Sequence, residues 1–125
     1  MSDPTFSPRE LDVMAVLWDI GAATVPEVRS HLAEEIPYTT VQTVLRTLEA
    51  KGYVSHAAEG RFHRYRPLVA RETASRGALH RMLAKLFAGS PELLLSQLVS
   101  QRDVSEEQVR RMKALLEEVL AEEER

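Results

Sequence analysis

The chain contains no cysteine in its 125 residues. Disulfides, thiolate nucleophiles and any cysteine-based zinc or copper site are thereby excluded, so metal sensing would have to rest on histidine and carboxylates. Also missing is any run near the roughly 20 uninterrupted apolar residues that span a bilayer, and there is no signal-peptide pattern. With 44% apolar residues the sequence predicts a soluble, cytoplasmic protein that does not insert into the membrane. No nucleophile elbow, phosphate-binding loop or metal-binding histidine pair occurs. Ser75 and Ser90 lack catalytic spacing, and His31, His56, His63 and His80 are scattered over four different elements. Neither an enzyme nor a metal site nor a cofactor is predicted.

What is present is an uneven charge. The net charge of −3 is made of about −5 over residues 1–37, +5 over 38–81 and −3 over 82–125. A basic middle between acidic ends suits one local phosphate-binding face rather than a protein that is sticky all over.

That basic middle has a specific grammar. Val41, Val44, Leu45 and Leu48 stand at i, i+3, i+4 and i+7, the stripe of an amphipathic helix. Thr39, Thr43, Arg46 and Ala50 lie opposite, flanked by Gln42 and Thr47, so the outward face is polar and carries a single cation. Thr39 and Gln42 fit a capping box, and Lys51-Gly52 supplies a basic last turn and a left-handed stop, predicting a helix over about 40–51. Beyond Gly52 the period becomes two. Tyr53, Val54 and His56 face Phe62, Arg64, Tyr65 and Arg66 across a turn expected at Glu59-Gly60. Arg61, His63, Arg64 and Arg66 crowd positive charge on this hairpin, where it can meet phosphates or a minor groove.

Two helices are predicted upstream. Ser7-Pro8-Arg9-Glu10 is an N-terminal cap for a helix to about Ile20, ended by Gly21, with Leu11, Met14, Leu17 and Trp18 as its buried stripe. Thr24-Val25-Pro26-Glu27 opens a second one carrying Val28 and Leu32, expected to end near Glu35 ahead of Pro37. Three helices followed by a basic hairpin form a winged helix-turn-helix, whose third helix enters the major groove.

Downstream of about Ala70 the helical period returns with Leu79, Met82, Leu83, Leu86 and Phe87, and Gly89-Ser90-Pro91 breaks it. Leu93, Leu94, Leu95, Leu98 and Val99 mark a short apolar helix. A last one, capped by Ser105 and Gln108, bears Val109, Met112, Leu115, Leu116, Val119 and Leu120. Three short helices bury little alone, so this apolar surface predicts a homodimer. The competing functional reading is a winged-helix module that binds another protein instead of DNA.

The segments LDVMAVLWDIG, ATVPEV, YTTVQTVLRTLEAKGYV and FHRYRPL together resemble the BlaI/MecI family of bacterial repressors, the penicillinase and methicillin-resistance repressors, over nearly the whole chain. The resemblance implies a mainly α protein. Residues 1–69 would form a winged helix-turn-helix DNA-binding domain with a small β-hairpin wing, and residues 70–125 a three-helix dimerisation domain. It implies a homodimer that represses transcription from a dyad-symmetric operator in double-stranded DNA, with β-lactamase or related resistance genes as targets. Recognition-helix contacts map to Thr40, Gln42, Thr43 and Arg46 and wing contacts to Arg61 and its neighbours. The DNA-binding set predicted from both arguments is Thr39, Thr40, Gln42, Thr43, Arg46, Lys51, Arg61, His63 and Arg64; the dimerisation set is Leu83, Leu86, Phe87, Leu94, Leu98, Met112, Leu115, Leu116 and Val119. Family members of the β-lactamase systems answer to a membrane-bound sensor protease and are cut at an Asn-Phe bond, and the matching bond here is Gln97-Leu98. The copper-responsive branch carries a C-terminal cysteine cluster that this chain lacks.

Overall fold

The structure, a computed structural model, describes residues 4–101 and 103–125. The chain divides into two compact units, residues 1–80 and 81–125, with the division inside the fourth helix rather than at the 69/70 boundary expected from sequence. The order of elements is α1 (Pro8–Ile20), β1 (Ala23–Thr24), α2 (Val25–His31), α3 (Tyr38–Ala50), β2 (Val54–Glu59), β3 (Phe62–Pro67), α4 (Arg71–Leu86), α5 (Pro91–Ser100) and α6 (Glu106–Glu123). This is the mainly helical, winged helix-turn-helix architecture predicted.

In the first unit both upstream helices start on full capping boxes. Ser7 and Thr24 accept from the amides of Glu10 and Glu27, whose carboxylates accept from the cap amides in return. The core collects Val13, Met14, Val16 and Leu17 of α1, Val25 and Val28 of α2, Val41, Leu45 and Leu48 of α3, and Val54 and Tyr65 of the sheet. Leu11 was expected in the α1 stripe but is 42% exposed, and Val13 and Val16 take up the core instead. The buried arc of α1 is thus centred nearer Val13 than the chosen stripe. Trp18 lies at the core edge, against Phe6, with its indole N–H donating to the Val69 carbonyl at 2.8 Å.

Helix α2 stops at His31, four residues before the predicted end. Leu32 turns extended and packs on the core, and the Arg29 Nε donates to the Ile36 carbonyl at 2.6 Å, which folds residues 32–37 back toward α3. Helix α3 begins two residues earlier than the Thr39 box would place it. Pro37, with φ −58° and ψ 145°, is its cap residue and no side chain caps the helix, so Thr39 is inside the first turn and its box with Gln42 does not form. The other end behaves as expected. Gly52 at φ +85° lets its amide reach the Glu49 carbonyl and the Tyr53 amide reach that of Leu48, both at 3.0 Å, and the chain leaves directly into β2.

The sheet is antiparallel in the order β1-β3-β2. Glu59 pairs with Phe62 across Gly60 (φ +62°) and Arg61, a two-residue turn with glycine at its first central position. Strand β1 pairs Ala23 with Tyr65 and Thr24 with Arg64, so the wing is stitched to the residue that caps α2.

In the second unit α6 is capped by a Ser105–Gln108 box, as read from sequence, and α5 by Ser90, which the sequence pattern places only in the break before it. Phe87 is buried, and neither α5 nor α6 has a buried residue. Leu86, Leu93, Leu98, Leu115, Leu116, Val119 and Leu120 are each more than 40% exposed on the single chain, while Leu83, Leu94 and Met112 are half-buried. Among the described residues no helix is long and apolar enough to cross a membrane.

Candidate nucleic-acid interface

Helix α3 buries Val41, Leu45 and Leu48 completely, and this fixes which side it shows to solvent. Thr39, Thr40, Thr43, Arg46 and Thr47 are exposed and Gln42 half-buried, in agreement with the periodicity. The Thr43 hydroxyl donates to the Thr39 carbonyl at 2.9 Å, leaving its methyl and an oxygen lone pair for a ligand. Arg46 has no hydrogen-bond or ion-pair partner among the described residues.

The wing stands beside this face. Between them is a concave groove of about 80 Å³ lined by Val25, Tyr38, Gln42, Arg46, Arg61, Phe62, His63 and Tyr65. The structure therefore brings four predicted residues, Gln42, Arg46, Arg61 and His63, to one place, the first two from α3 and the last two from the far side of the wing, with strand β2 between them along the chain. Arg61, at the wing turn, is also without a protein partner among the described residues. Tyr38 and Phe62 were not among the predicted site residues. Tyr38 was detectable, because it stands four residues before Gln42 on the same helical face, and Phe62 is the immediate neighbour of Arg61 at the tip. Thr39 and Thr40 lie outside the groove lining, on the same exposed side of α3.

His63 stacks on His56, with ring centroids 4.1 Å apart and planes 9° from parallel, while the His56 Nδ1 sits 2.6 Å from a Glu49 carboxylate oxygen. This contact holds β2 against α3. Burial pushes the Tyr65 phenol above its ordinary range, with the Glu49 charge adding to the effect. Among the described residues no three His, Asp or Glu side chains gather where a metal ion could be held.

Two predicted DNA contacts have partners within the protein. The Lys51 ammonium lies 2.9 Å from each oxygen of the buried Glu10 carboxylate. Arg64 places Nη2 2.9 Å from Glu27 and 2.7 Å from Glu59, and Nε 3.1 Å from Glu59. The charges respond accordingly. Burial pushes the Glu10 carboxyl up, but hydrogen bonds from Lys51 and Ser7 and the Lys51 charge outweigh it and hold the group below the usual carboxylate range. Glu27 is held low by the Thr24 hydroxyl and by Arg64, Glu59 is held low by Arg64, and the guanidinium is stabilised above its own usual range. The structure thus separates cations held within the protein, Lys51 and Arg64, from unpaired ones, Arg46 and Arg61.

A face with short hydroxyl and amide side chains, one arginine free to reach base edges, and a second free arginine on an adjacent wing has the chemistry of groove reading with phosphate anchoring. Comparison with known proteins agrees. The family model for the penicillinase repressor matches residues 6–118. The penicillinase repressor of Bacillus licheniformis is 27% identical over 117 residues, covering 92% of this chain and 91% of that protein. The solution structure of the DNA-binding domain of the repressor BlaI is 33% identical, with a TM-score of 0.51 over 58% of this chain and 93% of that domain. A mutant MarR from E. coli, 15% identical with a TM-score of 0.52 over 92% of this chain and 78% of that one, shares the fold. With the family model matched over most of its length, the chain belongs to the penicillinase repressor family.

Proposed function

We propose that this protein is a cytoplasmic, non-enzymatic transcriptional repressor that binds a dyad-symmetric operator as a homodimer, in the manner its family membership suggests for control of β-lactamase or related resistance genes. The observation that carries this reading is the groove in which the unpaired Arg46 of α3 and Arg61 of the wing converge beside Gln42. Each protomer lays α3 in a major groove. Arg46 and Gln42 offer hydrogen bonds to guanine or adenine edges, Thr40 and Thr43 offer contacts to thymine methyls or phosphates, and Arg61 and His63 hold the backbone. Repression follows from occluding polymerase.

The dimerisation role falls to the second unit. A single chain leaves Leu86, Leu98, Leu115, Leu116 and Val119 in water, and a second copy is the occupant that a self-complementary apolar surface takes. Two linked readers then meet two half-sites, which raises both affinity and specificity. Induction by a membrane-bound sensor protease would act on this unit, where the Gln97-Leu98 bond lies within α5.

The experiment is to incubate the purified protein with sheared genomic DNA of its source at moderate salt, sequence what is retained, and repeat with Arg46→Ala. Enrichment of a dyad-symmetric site upstream of a few genes, blurred in the variant, is the expected result. No enriched sequence in either sample would overturn the repressor reading in favour of a protein-binding module.

A further inference from the structure

Helices α1 and α2 open with the same device, and each capping glutamate does a second thing. A capping box needs only one acceptor oxygen at its third helical position, which glutamine supplies as well as glutamate. The charge is not required for the cap. Yet Glu10 faces the ammonium of Lys51, the residue that closes α3, and Glu27 faces the guanidinium of Arg64, which β3 places opposite Thr24. The Glu10 carboxylate is buried, with 7% of its side chain exposed, so its charge needs this partner. All three Arg64 nitrogens are occupied, Nε by Glu59, Nη2 by Glu27 and Glu59, and Nη1 by the Ala22 carbonyl at 3.4 Å and Glu27 at 3.5 Å.

We propose that Lys51 and Arg64 are positioning residues rather than DNA ligands, each fixing one DNA-facing element to a capping-box glutamate so that α3 and the wing keep the spacing that fits a groove. The proposal rests on the repressor reading. Taking Arg64 onto a phosphate would require withdrawing it from two carboxylates and a carbonyl, whereas Arg61 and Arg46 can meet phosphate or base without breaking any contact given by the described residues. The two functions of cationic side chains, anchoring the reader to its scaffold and anchoring the reader to DNA, are therefore divided between different residues. The wing register makes this possible, because pairing of Thr24 with Arg64 sets the guanidinium over the first turn of α2.

The test measures affinity for the retained operator and for a random duplex over a range of salt, with the full chain and the variants Arg61→Ala, Arg64→Lys, Arg64→Gln, Glu27→Gln and Glu10→Gln. Loss of one phosphate contact lowers the slope of log affinity against log salt by about 0.9. Arg61→Ala should show that change. Arg64→Lys, Arg64→Gln, Glu27→Gln and Glu10→Gln should keep the slope and weaken operator binding by about two- to thirtyfold, the range of effects transmitted through a contact network, with random duplex little affected. A phosphate ligand predicts the opposite signs: lysine would substitute well for Arg64, Arg64→Gln would lose the slope, and Glu27→Gln would strengthen binding by removing a negative charge. Either of the last two results overturns the proposal. Amide hydrogen exchange gives a readout without DNA. Faster exchange across β2 and β3 in Glu27→Gln and Arg64→Lys, with the Leu45 and Leu48 amides unchanged, supports the clamp; unaltered wing exchange refutes it. A wild-type protein that retains no duplex would defeat the repressor reading while leaving the exchange experiment to decide on the clamp.

Discussion

Leu45 and Arg46 are neighbours on α3 with opposite surroundings, one fully buried and the other exposed and unpaired, and this contrast can be turned into a double dissociation. Leu45→Ala removes a side chain with 0% exposure from the centre of the first unit. The lost transfer energy and the residual cavity together cost about 3–5 kcal/mol. A unit of residues 1–80 has a total stability of roughly 4–12 kcal/mol at typical values per residue, so the variant surrenders about a quarter of it or more. Arg46→Ala should change stability by no more than about 0.5 kcal/mol, since the exposed side chain makes no hydrogen bond or ion pair among the described residues. On the operator the order reverses. Arg46→Ala loses about 1–3 kcal/mol if the side chain reads a base, and Leu45→Ala, measured where it is folded, stays close to wild type. The assay for stability is urea unfolding followed by the fluorescence of Trp18, the sole tryptophan, which lies at the core edge of this unit. With an m-value of about 1–1.5 kcal/mol/M, the Leu45→Ala midpoint falls by about 2 M or more. The reasoning is refuted if Arg46→Ala moves the midpoint as far, or if folded Leu45→Ala prefers a different sequence.

Gly52→Ala should destabilise the first unit by about 1–2 kcal/mol, because the φ of +85° is costly for an L-residue while nothing lies within 4 Å of the added methyl; Gly52→Asn should recover part of this in the same urea assay. Trp18→Phe should cost about 1 kcal/mol through loss of the bond to the Val69 carbonyl, read by circular dichroism since the fluorophore is gone. The paired substitution of Leu115 and Leu116 by Asp should convert the proposed dimer to monomer in sedimentation while leaving the thermal unfolding of the first unit in place, and should weaken operator binding by more than about tenfold. The depressed Glu10 carboxyl sets an acid limit. A folded-state value below the unfolded one gives stability that is fully present above about pH 4.5 and is lost as pH falls through the folded value, at up to about 1.4 kcal/mol per pH unit for one proton. Glu10→Gln should flatten that part of the stability profile, and an unchanged slope would show that Glu10 is not the group being titrated.

Much of the fold was legible because it is encoded over three or four residues. The boxes at Ser7 and Glu10, Thr24 and Glu27, and Ser105 and Gln108 and the stop at Gly52 are all local patterns, and each formed as the sequence indicated, whereas the turn expected at Glu59-Gly60 sits one residue later, on Gly60 and Arg61. Thr39 and Gln42 carry the same letters and formed no box. The chain arriving from Ile36 and Pro37 starts the helix two residues sooner, and the Thr39 hydroxyl, already inside the helix, is no longer at the cap position. A local motif is thus necessary for a cap and insufficient without the right backbone entering it. The end of α2 failed for a similar reason, since the contact that ends it, Arg29 to the Ile36 carbonyl, is made by the returning loop.

The interface was legible as a face and not as a division of labour. Periodicity placed Thr39, Thr43 and Arg46 outward correctly, because burial of Val41, Leu45 and Leu48 leaves the helix no other orientation. The same reasoning counted Lys51 and Arg64 as DNA contacts alongside Arg46 and Arg61. Which cations are available depends on carboxylates far away in sequence: Glu10 is 41 residues from Lys51 and Glu27 is 37 from Arg64. Both glutamates already had a sufficient local explanation as capping residues, so nothing in the sequence pointed to a second partner. Local positive charge therefore bounds the interface, and the pairing of each cation determines what that charge can do. Among the described residues the pairing leaves Arg46 and Arg61 open at the groove, while Lys51 is paired with Glu10 and Arg64 with Glu27 and Glu59.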